Sequence, residues 1–166
     1  MAQQQSKIDN GGSCLVLQRR PATSSDFDFA RRAHHAAYHD VVVRQFGQWS
    51  DEVQDRFFNE DWASGPSDMI MCNGVCCGYC RIAAHVDCIV GYELVILPKF
   101  QCKGIGTALL QQVIGEAEQQ GIAVKIKALK ENRALELYYR LGFKAVGSSA
   151  THIDLEYRPM GVGGRM

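Results

Sequence analysis

A strand that runs into a glycine-containing turn and then a helix constrains this chain more than any other part of its sequence. Residues 94–97 form the apolar run Leu-Val-Ile-Leu, Pro98 ends the predicted strand, and Gly104 and Gly106 open a helix predicted to reach Gln120. Glycine lets a ligand approach the backbone closely, and the first turn of a helix presents unpaired N–H groups with partial positive charge. The junction therefore predicts a phosphate or pyrophosphate site.

Three anion-binding patterns compete for this turn. The Walker A pattern G-x-x-x-x-G-K-[ST] does not occur in the chain. The Rossmann fingerprint needs a third glycine where Leu109 stands, and too few residues follow for further β-α-β repeats. The pattern Q/R-x-x-G-x-G/A is satisfied in full by Gln101, Gly104 and Gly106.

The rest of the sequence predicts a single α/β domain over residues 13–159, with disordered segments at 1–12 and 160–166 that carry too little apolar surface to fold. Helices are predicted from a cap at residues 23–25 to Phe46, and over 50–64, 104–120 and 133–141. Strands are predicted over 14–20, 68–72, 75–84, 87–97, 122–129, 143–146 and 152–157. The second helix is expected to turn Phe57, Phe58 and Trp62 toward the core.

Charge and hydropathy exclude several classes of partner. Lys plus Arg and Asp plus Glu each number 18, so the chain lacks the basic excess on which non-specific nucleic-acid binding depends. No apolar run approaches the roughly 18 residues of a membrane span, and the N-terminus lacks the apolar region of a signal peptide. We expect a cytoplasmic protein that binds neither nucleic acid nor membrane.

Seven cysteines favour buried thiols over a disulfide framework or a metal site. The number is odd, and no secretory signal accompanies it. Cys77 and Cys80 match C-x-x-C, but they lie on a predicted strand, whereas a redox pair typically sits at a helix N-terminus. We expect no bound metal, because no second pair of ligands with zinc spacing follows.

Two motifs in this order resemble the GNAT N-acetyltransferase superfamily, as a bacterial-type single-domain member. The first is Glu93–Leu110, which is similar to the family's acetyl-CoA motif. The second is Asn132–Phe143, which resembles N-x-A-x-x-L-Y-x-x-L-G-F. The resemblance implies the GNAT acyl-CoA N-acyltransferase fold, an α/β fold with a mixed, mostly antiparallel central sheet flanked by about four helices.

The resemblance also implies where acetyl-CoA binds. The backbone of Leu94, Val95 and Ile96 is expected to contact the pantetheine and the thioester. The turn that carries the pyrophosphate, and the residue before the last helix, are expected to supply Gln101, Cys102, Lys103, Gly104, Ile105, Gly106, Thr107 and Asn132. Many members place an Asn where this chain has Glu131, so the contact of Asn132 stays open.

Two residues match the family's catalytic positions. Glu93 corresponds to an acidic residue near the acceptor amine and is expected to act as a base or an amine anchor; the alternative is a surface glutamate. Tyr138 corresponds to the tyrosine that protonates the coenzyme A sulfur, and the alternative is a core aromatic residue.

The acceptor side is less defined. His34 and Tyr38 are one helical turn apart and are candidates, with His152, to face the acceptor cleft; the alternative for the helix residues is a polar helix face that serves packing. The implied function is transfer of an acetyl group to a primary amine of a small molecule or protein by direct attack. The alternative is a non-catalytic acyl-CoA-binding sensor or scaffold, and a homodimer is left open.

Overall fold

The computed structural model describes residues 5–10 and 13–161, which fold around one mixed β-sheet. Four helices flank the sheet: α1 (Phe27–Phe46), α2 (Asp51–Ala63), α3 (Ile105–Gln120) and α4 (Ala134–Arg140). The strands are β1 (Gln5–Asn10), β2 (Ser13–Pro21), β3 (Asp68–Cys72), β4 (Val75–Ala84), β5 (Cys88–Ile96), β6 (Ala123–Leu129), β7 (Lys144–Ser148) and β8 (His152–Tyr157). None of these helices combines the length and apolar character that a bilayer span requires.

The eight strands follow the order β1-β2-β3-β4-β5-β6-β8-β7. Every neighbouring pair is antiparallel except β5 and β6, which run parallel and are joined through α3. The predicted fold class, a mostly antiparallel mixed sheet flanked by four helices, is confirmed.

Residues 5–10 differ from the sequence prediction of disorder over 1–12. They form β1, which pairs with β2 from Gln5 opposite Gln18 to Asn10 opposite Ser13. Main-chain hydrogen bonds to an exposed sheet edge can order a polar segment without an apolar side-chain pattern. Residues 1–4, 11–12 and 162–166 of the two segments predicted to be disordered lie outside the described part of the chain, while Met160 and Gly161 form an exposed turn.

Local chain chemistry explains the helix ends. The hydroxyl of Ser50 accepts from the backbone N–H of Val53 and caps α2. Gly47 adopts the left-handed conformation, with φ of 82°, and ends α1. Helix α3 starts at Ile105, one residue later than predicted, because Gly104 is left-handed with φ of 83°.

The two faces of the sheet are covered by different helices. On one face α3 packs Leu110 and Val113 against Ile89, Val124 and Leu155. On the other face, residues of α1 and α2 pack against β3, β4 and β5 in a cluster of Ala30, Ala33, Phe58, Met69, Tyr79 and Val95. Burial of this apolar surface is the main driving force for the fold.

One expectation for α2 is wrong. Phe58 is buried, with 1% of its surface exposed, whereas Phe57 is 52% exposed and lines a cavity beside α1. Adjacent residues on a helix point about 100° apart, so only one of the two faces the sheet squarely.

Strands β5 and β6 pair over only part of their length. Parallel pairing runs from Cys88 opposite Ala123 to Gly91 opposite Ile126, and then the strands separate. The separation starts at a β-bulge, since Arg81 lies opposite Glu93 and Ile82 opposite Gly91, which leaves Tyr92 as an extra residue. A bulge bends its strand and interrupts the ladder, so a gap opens between β5 and β6.

Gly78 fixes β5 against β4 beside this gap. A Cβ atom added at Gly78 would lie 1.9 Å from the carbonyl oxygen of Val95 and 3.0 Å from the Cα of Ile96. Both atoms belong to the backbone, so the neighbour cannot move aside without breaking the strand pairing. The position therefore requires glycine for close approach of two backbones.

We expect Gly78→Ala to destabilise the fold by about 3 kcal/mol, the upper end of the usual cost of overpacking. Urea denaturation followed by circular dichroism measures the change. Gly115→Ala is the matched control, because nothing lies within 4 Å of a Cβ at that position on α3. The control is expected to stabilise the helix by roughly 0.5–1 kcal/mol. Equal stability of Gly78→Ala and the native protein would contradict the close approach.

Candidate active site

A cavity of about 970 Å³ opens where β5 and β6 diverge. Helices α1 and α2 form one wall, and the floor is formed by β5, β6 and β8. The sequence-predicted residues that line it are His34, Tyr38, Glu93, Leu94, Asn132, Tyr138 and His152. Val95, Ile96 and residues 101–107 do not line it, and the glycine-containing turn before α3 follows the end of β5.

The unpaired edge of β5 faces the gap. The N–H of Leu97 donates to the carbonyl of Cys77 on β4 at 2.9 Å. Because backbone groups alternate between the two edges of a strand, those of Leu94 and Ile96 point away from β4 and toward the gap. This edge offers main-chain donors and acceptors to an extended ligand, whereas the side chain of Val95 is buried in the core.

The turn before α3 presents unpaired amides. Cys102 and Gly104 both adopt left-handed conformations, with φ of 59° and 83°. The N–H of Ala108 donates to the carbonyl of Gly104 at 2.9 Å. By helix geometry, the amides of Ile105, Gly106 and Thr107 precede this first intrahelical bond and lack helical acceptors.

Gln101 and Lys103 of this turn differ in their side-chain contacts. The Gln101 amide donates to the carbonyl oxygen of Ile96 at 2.8 Å and ties the turn to the end of β5. Lys103 is exposed, and its Nζ lies 6.0 Å from the ring centre of Phe100. The Gln101 side chain therefore stabilises the turn, and the Lys103 side chain lies at its surface.

Glu93 lies on β5 directly after the bulge, and its side chain enters the cavity. The hydroxyl of Tyr38 on α1 donates to Glu93 Oε2 at 2.7 Å. Burial raises the pKa of Glu93 to about 7, and the nearby Asp61 adds to the rise. The Tyr38 hydrogen bond and the charge of Arg81 act in the opposite direction. A carboxyl group with this pKa can accept or release a proton at neutral pH.

Tyr138 on α4 lines the same cavity. Its ring packs against Phe143, with 5.8 Å between ring centres, so the residue is a core aromatic and a cavity residue at once. Burial raises its pKa to about 12, and the charge of Glu93 contributes. The hydroxyl therefore keeps its proton at neutral pH.

His34 is buried against Tyr38, one turn away on α1. Only 5% of His34 is exposed, and its ring centre lies 4.7 Å from that of Tyr38. Burial lowers the pKa of His34 to about 4, so the imidazole is neutral at pH 7. His35 lies on a different side of α1, where it contacts Trp49 and Asp55.

His152 faces the cavity from β8. Its Nδ1 lies 2.7 Å from the hydroxyl oxygen of Thr151. Burial lowers its pKa. At the neighbouring corner, the Oδ1 of Asn132 accepts from the N–H of Ala134 at 2.9 Å, so this oxygen supports the start of α4.

A polar link at the end of α1 has no counterpart among the residues predicted from sequence. The amide of Gln45 donates to the carbonyl of Thr151 at 2.8 Å and accepts from the N–H of Glu131 at 3.1 Å. Arg44 also donates to the carbonyl of Glu131, at 2.7 Å. No motif signals these contacts, because they join segments far apart in sequence.

An ion pair in the cavity wall was also missed. Arg81 on β4 pairs with Asp61 on α2, and its guanidinium lies 4.1 Å from the ring centre of Tyr92. All three residues line the cavity and surround Glu93 with balanced charge. The pairing leaves the burial of Glu93 as the main cause of its raised pKa.

Among the cysteines whose side chains the structure describes, none lines the cavity. Cys72, Cys77 and Cys80 are free and packed in an apolar cluster with Leu17, Ile70 and Leu109. Burial raises the pKa of Cys77 and of Cys80 to about 12, the opposite of what a reactive thiol requires. In the described part of the chain, no group of three or more His, Cys, Asp or Glu residues has metal-binding geometry.

Comparison with known proteins identifies the family. Residues 27–143 match the model of the acetyltransferase (GNAT) family. The match spans more than half of the chain, so the chain belongs to the GNAT family, and the resemblance carried by its two motifs is confirmed. Family membership supports acyl transfer as the general activity. The comparison with curated proteins finds no match.

Solved acetyltransferases share the fold at low sequence identity. The chain is similar to the PaiA N-acetyltransferase from Thermoplasma acidophilum in complex with coenzyme A, with a TM-score of 0.69 and 14% identity over 86% of this chain and 98% of that one. It is also similar to the ribosomal-protein-S18-alanine N-acetyltransferase from Escherichia coli, with a TM-score of 0.62 and 18% identity over 90% and 99% of the two chains.

We expect Glu93→Gln to stabilise the protein at pH 8 by about 3 kcal/mol. The pKa of Glu93 is raised from 4.5 to about 7 on folding, so the folded state binds this proton more tightly than the unfolded state does. Stability is therefore lost as the pH rises from about 4.5 to about 7, and the glutamine variant avoids this loss. Urea denaturation at pH 8 and pH 5 measures the difference, which should shrink at the lower pH.

Glu118→Gln is the matched control for this experiment. Glu118 also accepts a hydrogen bond from a tyrosine, Tyr157, at 2.6 Å, but it lies on the exposed surface of α3. We expect no comparable gain at pH 8. A Glu93→Gln variant that is no more stable than the native protein at pH 8 would contradict a costly buried carboxylate.

Proposed function

We propose that this protein is an acetyl-CoA-dependent N-acetyltransferase that acetylates a primary amine of a small molecule or a protein by direct attack. One observation carries the proposal: Glu93 and Tyr138 meet in a cavity that opens along the unpaired edge of β5. The turn with unpaired amides lies at the end of the same strand. A coenzyme A complex of a protein with this fold, the PaiA N-acetyltransferase, supports the choice of coenzyme.

The residues present fit acetyl-CoA. The backbone groups of Leu94 and the N–H of Ile96 face the gap and can bind the pantetheine arm, which carries amide groups of its own, whereas the carbonyl oxygen of Ile96 already accepts from Gln101. The amides of residues 102–107 are suited to the pyrophosphate, with the Thr107 hydroxyl as a further donor. Gln101 supports this turn through Ile96, and the amide of Asn132 lies at the opposite wall of the cavity.

Glu93 is the proposed base. Acetyl-CoA supplies an acetyl thioester, whose C–S bond breaks as the amine nitrogen bonds to the acetyl carbon, giving an amide and a free thiol. The amine is nucleophilic only after it loses a proton, and Glu93, with a pKa of about 7, can accept that proton directly or through water. His34 and His152 remain the proposed contacts of the acceptor.

Tyr138 is the proposed acid. The departing sulfur is a stronger base than neutral water and needs a proton as the C–S bond breaks. The Tyr138 hydroxyl holds its proton at neutral pH because burial raises its pKa to about 12. At neutral pH, Glu93 can therefore accept a proton as the base while Tyr138 donates one as the acid.

The second candidate is a non-catalytic acyl-CoA-binding sensor or scaffold. It shares the coenzyme site and requires no base. The buried Glu93 favours the enzyme, because a carboxyl group in a cavity costs stability and a pure binding role for acyl-CoA gives it no task.

We expect Gly106→Asp to weaken acetyl-CoA binding by about 100-fold, since the new carboxylate repels the pyrophosphate at the first turn of α3. Titration calorimetry measures the affinity. Gly115→Asp adds the same charge farther along α3, where a side chain meets open space, and is expected to retain binding. An unchanged affinity in Gly106→Asp would count against the turn as the pyrophosphate site.

We expect the native protein to release free thiol from acetyl-CoA when an amine acceptor is present, and Tyr138→Phe to lower kcat by about 100-fold. A thiol-release assay over a panel of small amines and peptide amines measures both. The phenylalanine ring keeps the packing against Phe143, so circular dichroism should be unchanged. A tight acetyl-CoA complex without turnover on any amine would favour the sensor, and full activity of Tyr138→Phe would leave the residue a packing role only.

A further inference from the structure

We propose that Tyr38 is a positioning residue for Glu93: its hydroxyl holds one carboxylate oxygen so that the other oxygen faces the acceptor amine. The inference rests on the proposed function, in which Glu93 is the base. It assigns Tyr38 a task different from contact with the acceptor, which was the expectation from its place on α1.

The hydrogen bond makes the two carboxylate oxygens of Glu93 different. Tyr38 donates to Glu93 Oε2 at 2.7 Å, while Glu93 Oε1 takes part in no hydrogen bond within the described residues. The terminal side-chain torsion of a glutamate has a broad distribution, so a carboxylate without a hydrogen-bond partner can rotate about it. Donation from α1 restricts the rotation and leaves Oε1 as the oxygen available to an amine N–H or to a water molecule.

Tyr38 is itself held in place. Its ring lies against the ring of His34, one turn earlier on α1, at 4.7 Å between centres. His34 is in turn packed against Phe58 of α2, at 5.6 Å. The far end of α1 is tied down through Gln45 to Thr151 and Glu131. The donor therefore approaches Glu93 from a fixed direction.

Titratable and charged groups face Glu93 from three other elements and from the cavity floor. From α2 comes Asp61, from β4 come Tyr79 and Arg81, and from α4 comes Tyr138. The ionisable groups on the cavity floor are Lys125, Lys127, His152, Asp154 and Glu156. Arg81 is already paired with Asp61.

Tyr38 is the strongest influence that favours the ionised form of Glu93. Its hydrogen bond lowers the pKa of Glu93 more than the charge of Arg81 does, and it opposes the rise caused by burial. Tyr38 keeps its proton for this purpose, since burial and the charge of Glu93 hold its own pKa well above the usual value. Removal of the hydroxyl should therefore raise the pKa of Glu93.

The test is the pH profile of kcat/KM for Tyr38→Phe with an acceptor found in the amine panel. The ring and its contact with His34 remain, and only the hydroxyl is lost. We expect the acid limb of the profile to move up by about one pH unit, so that activity falls about tenfold at pH 6 and stays within about threefold of the native protein at pH 9. A structural role would lower activity equally at all pH values.

Tyr157→Phe is the matched control. It removes another tyrosine-to-glutamate hydrogen bond, from Tyr157 to Glu118 at 2.6 Å, and lies outside the cavity lining. Its pH profile is expected to match the native one. A native-like profile for Tyr38→Phe, or a loss that is the same at every pH, overturns the inference.

Carbon NMR of the Glu93 carboxyl group separates this inference from the proposed function, because it needs no acceptor. In the native protein the resonance is expected to titrate near pH 7, and in Tyr38→Phe at higher pH. If the resonance shifts as expected while no amine is acetylated, Tyr38 positions Glu93 and the proposed activity is wrong. If amines are acetylated while the titration is unchanged in Tyr38→Phe, the positioning role is wrong.

Discussion

The separation of β5 from β6 is the feature on which the site depends. Parallel strands normally pair along their full length, since unpaired backbone groups inside a protein are costly. Here the bulge at Tyr92 ends the pairing after Gly91, and Gly78 keeps the freed strand pressed against β4 instead. Backbone geometry therefore determines where the gap lies, and the side chains of the site line its walls.

Glu93 connects this geometry to chemistry. Its position directly after the bulge places the carboxyl group in the cavity, where burial makes the charged form expensive. The fold compensates in part with a hydrogen bond from Tyr38 and the charge of Arg81. The part of the desolvation cost that is not offset raises the pKa of Glu93 to about 7. A pKa near neutrality suits a group that accepts a proton at neutral pH.

The sequence predicted most of the fold because its signals are local. Pro98 after β5 and the left-handed Gly47 after α1 mark element ends without reference to the rest of the chain. Phe57 was misplaced because helical periodicity gives a direction but not the position of the neighbouring sheet. Strand β1 was not predicted, because main-chain pairing with β2 holds it in place and such pairing leaves no side-chain pattern in the sequence.

The site was predicted in outline, and its contacts were not. Motif spacing placed Glu93 and Tyr138 among the candidates, and helical spacing put His34 beside Tyr38. The bond between Tyr38 and Glu93 joins residues 55 positions apart, and it depends on the extra residue in β5. A sequence carries no local sign of such a contact, so it emerged only from the three-dimensional arrangement.

The gap and the turn before α3 present main-chain atoms, and this has an evolutionary consequence. Every residue type carries the same N–H and C=O groups, proline's missing N–H aside, so such a surface survives extensive substitution. Solved acetyltransferases share the fold at 14% and 18% identity to this chain. The opposite wall is made of side chains from α1 and α2, so its shape and charge change directly with each substitution there.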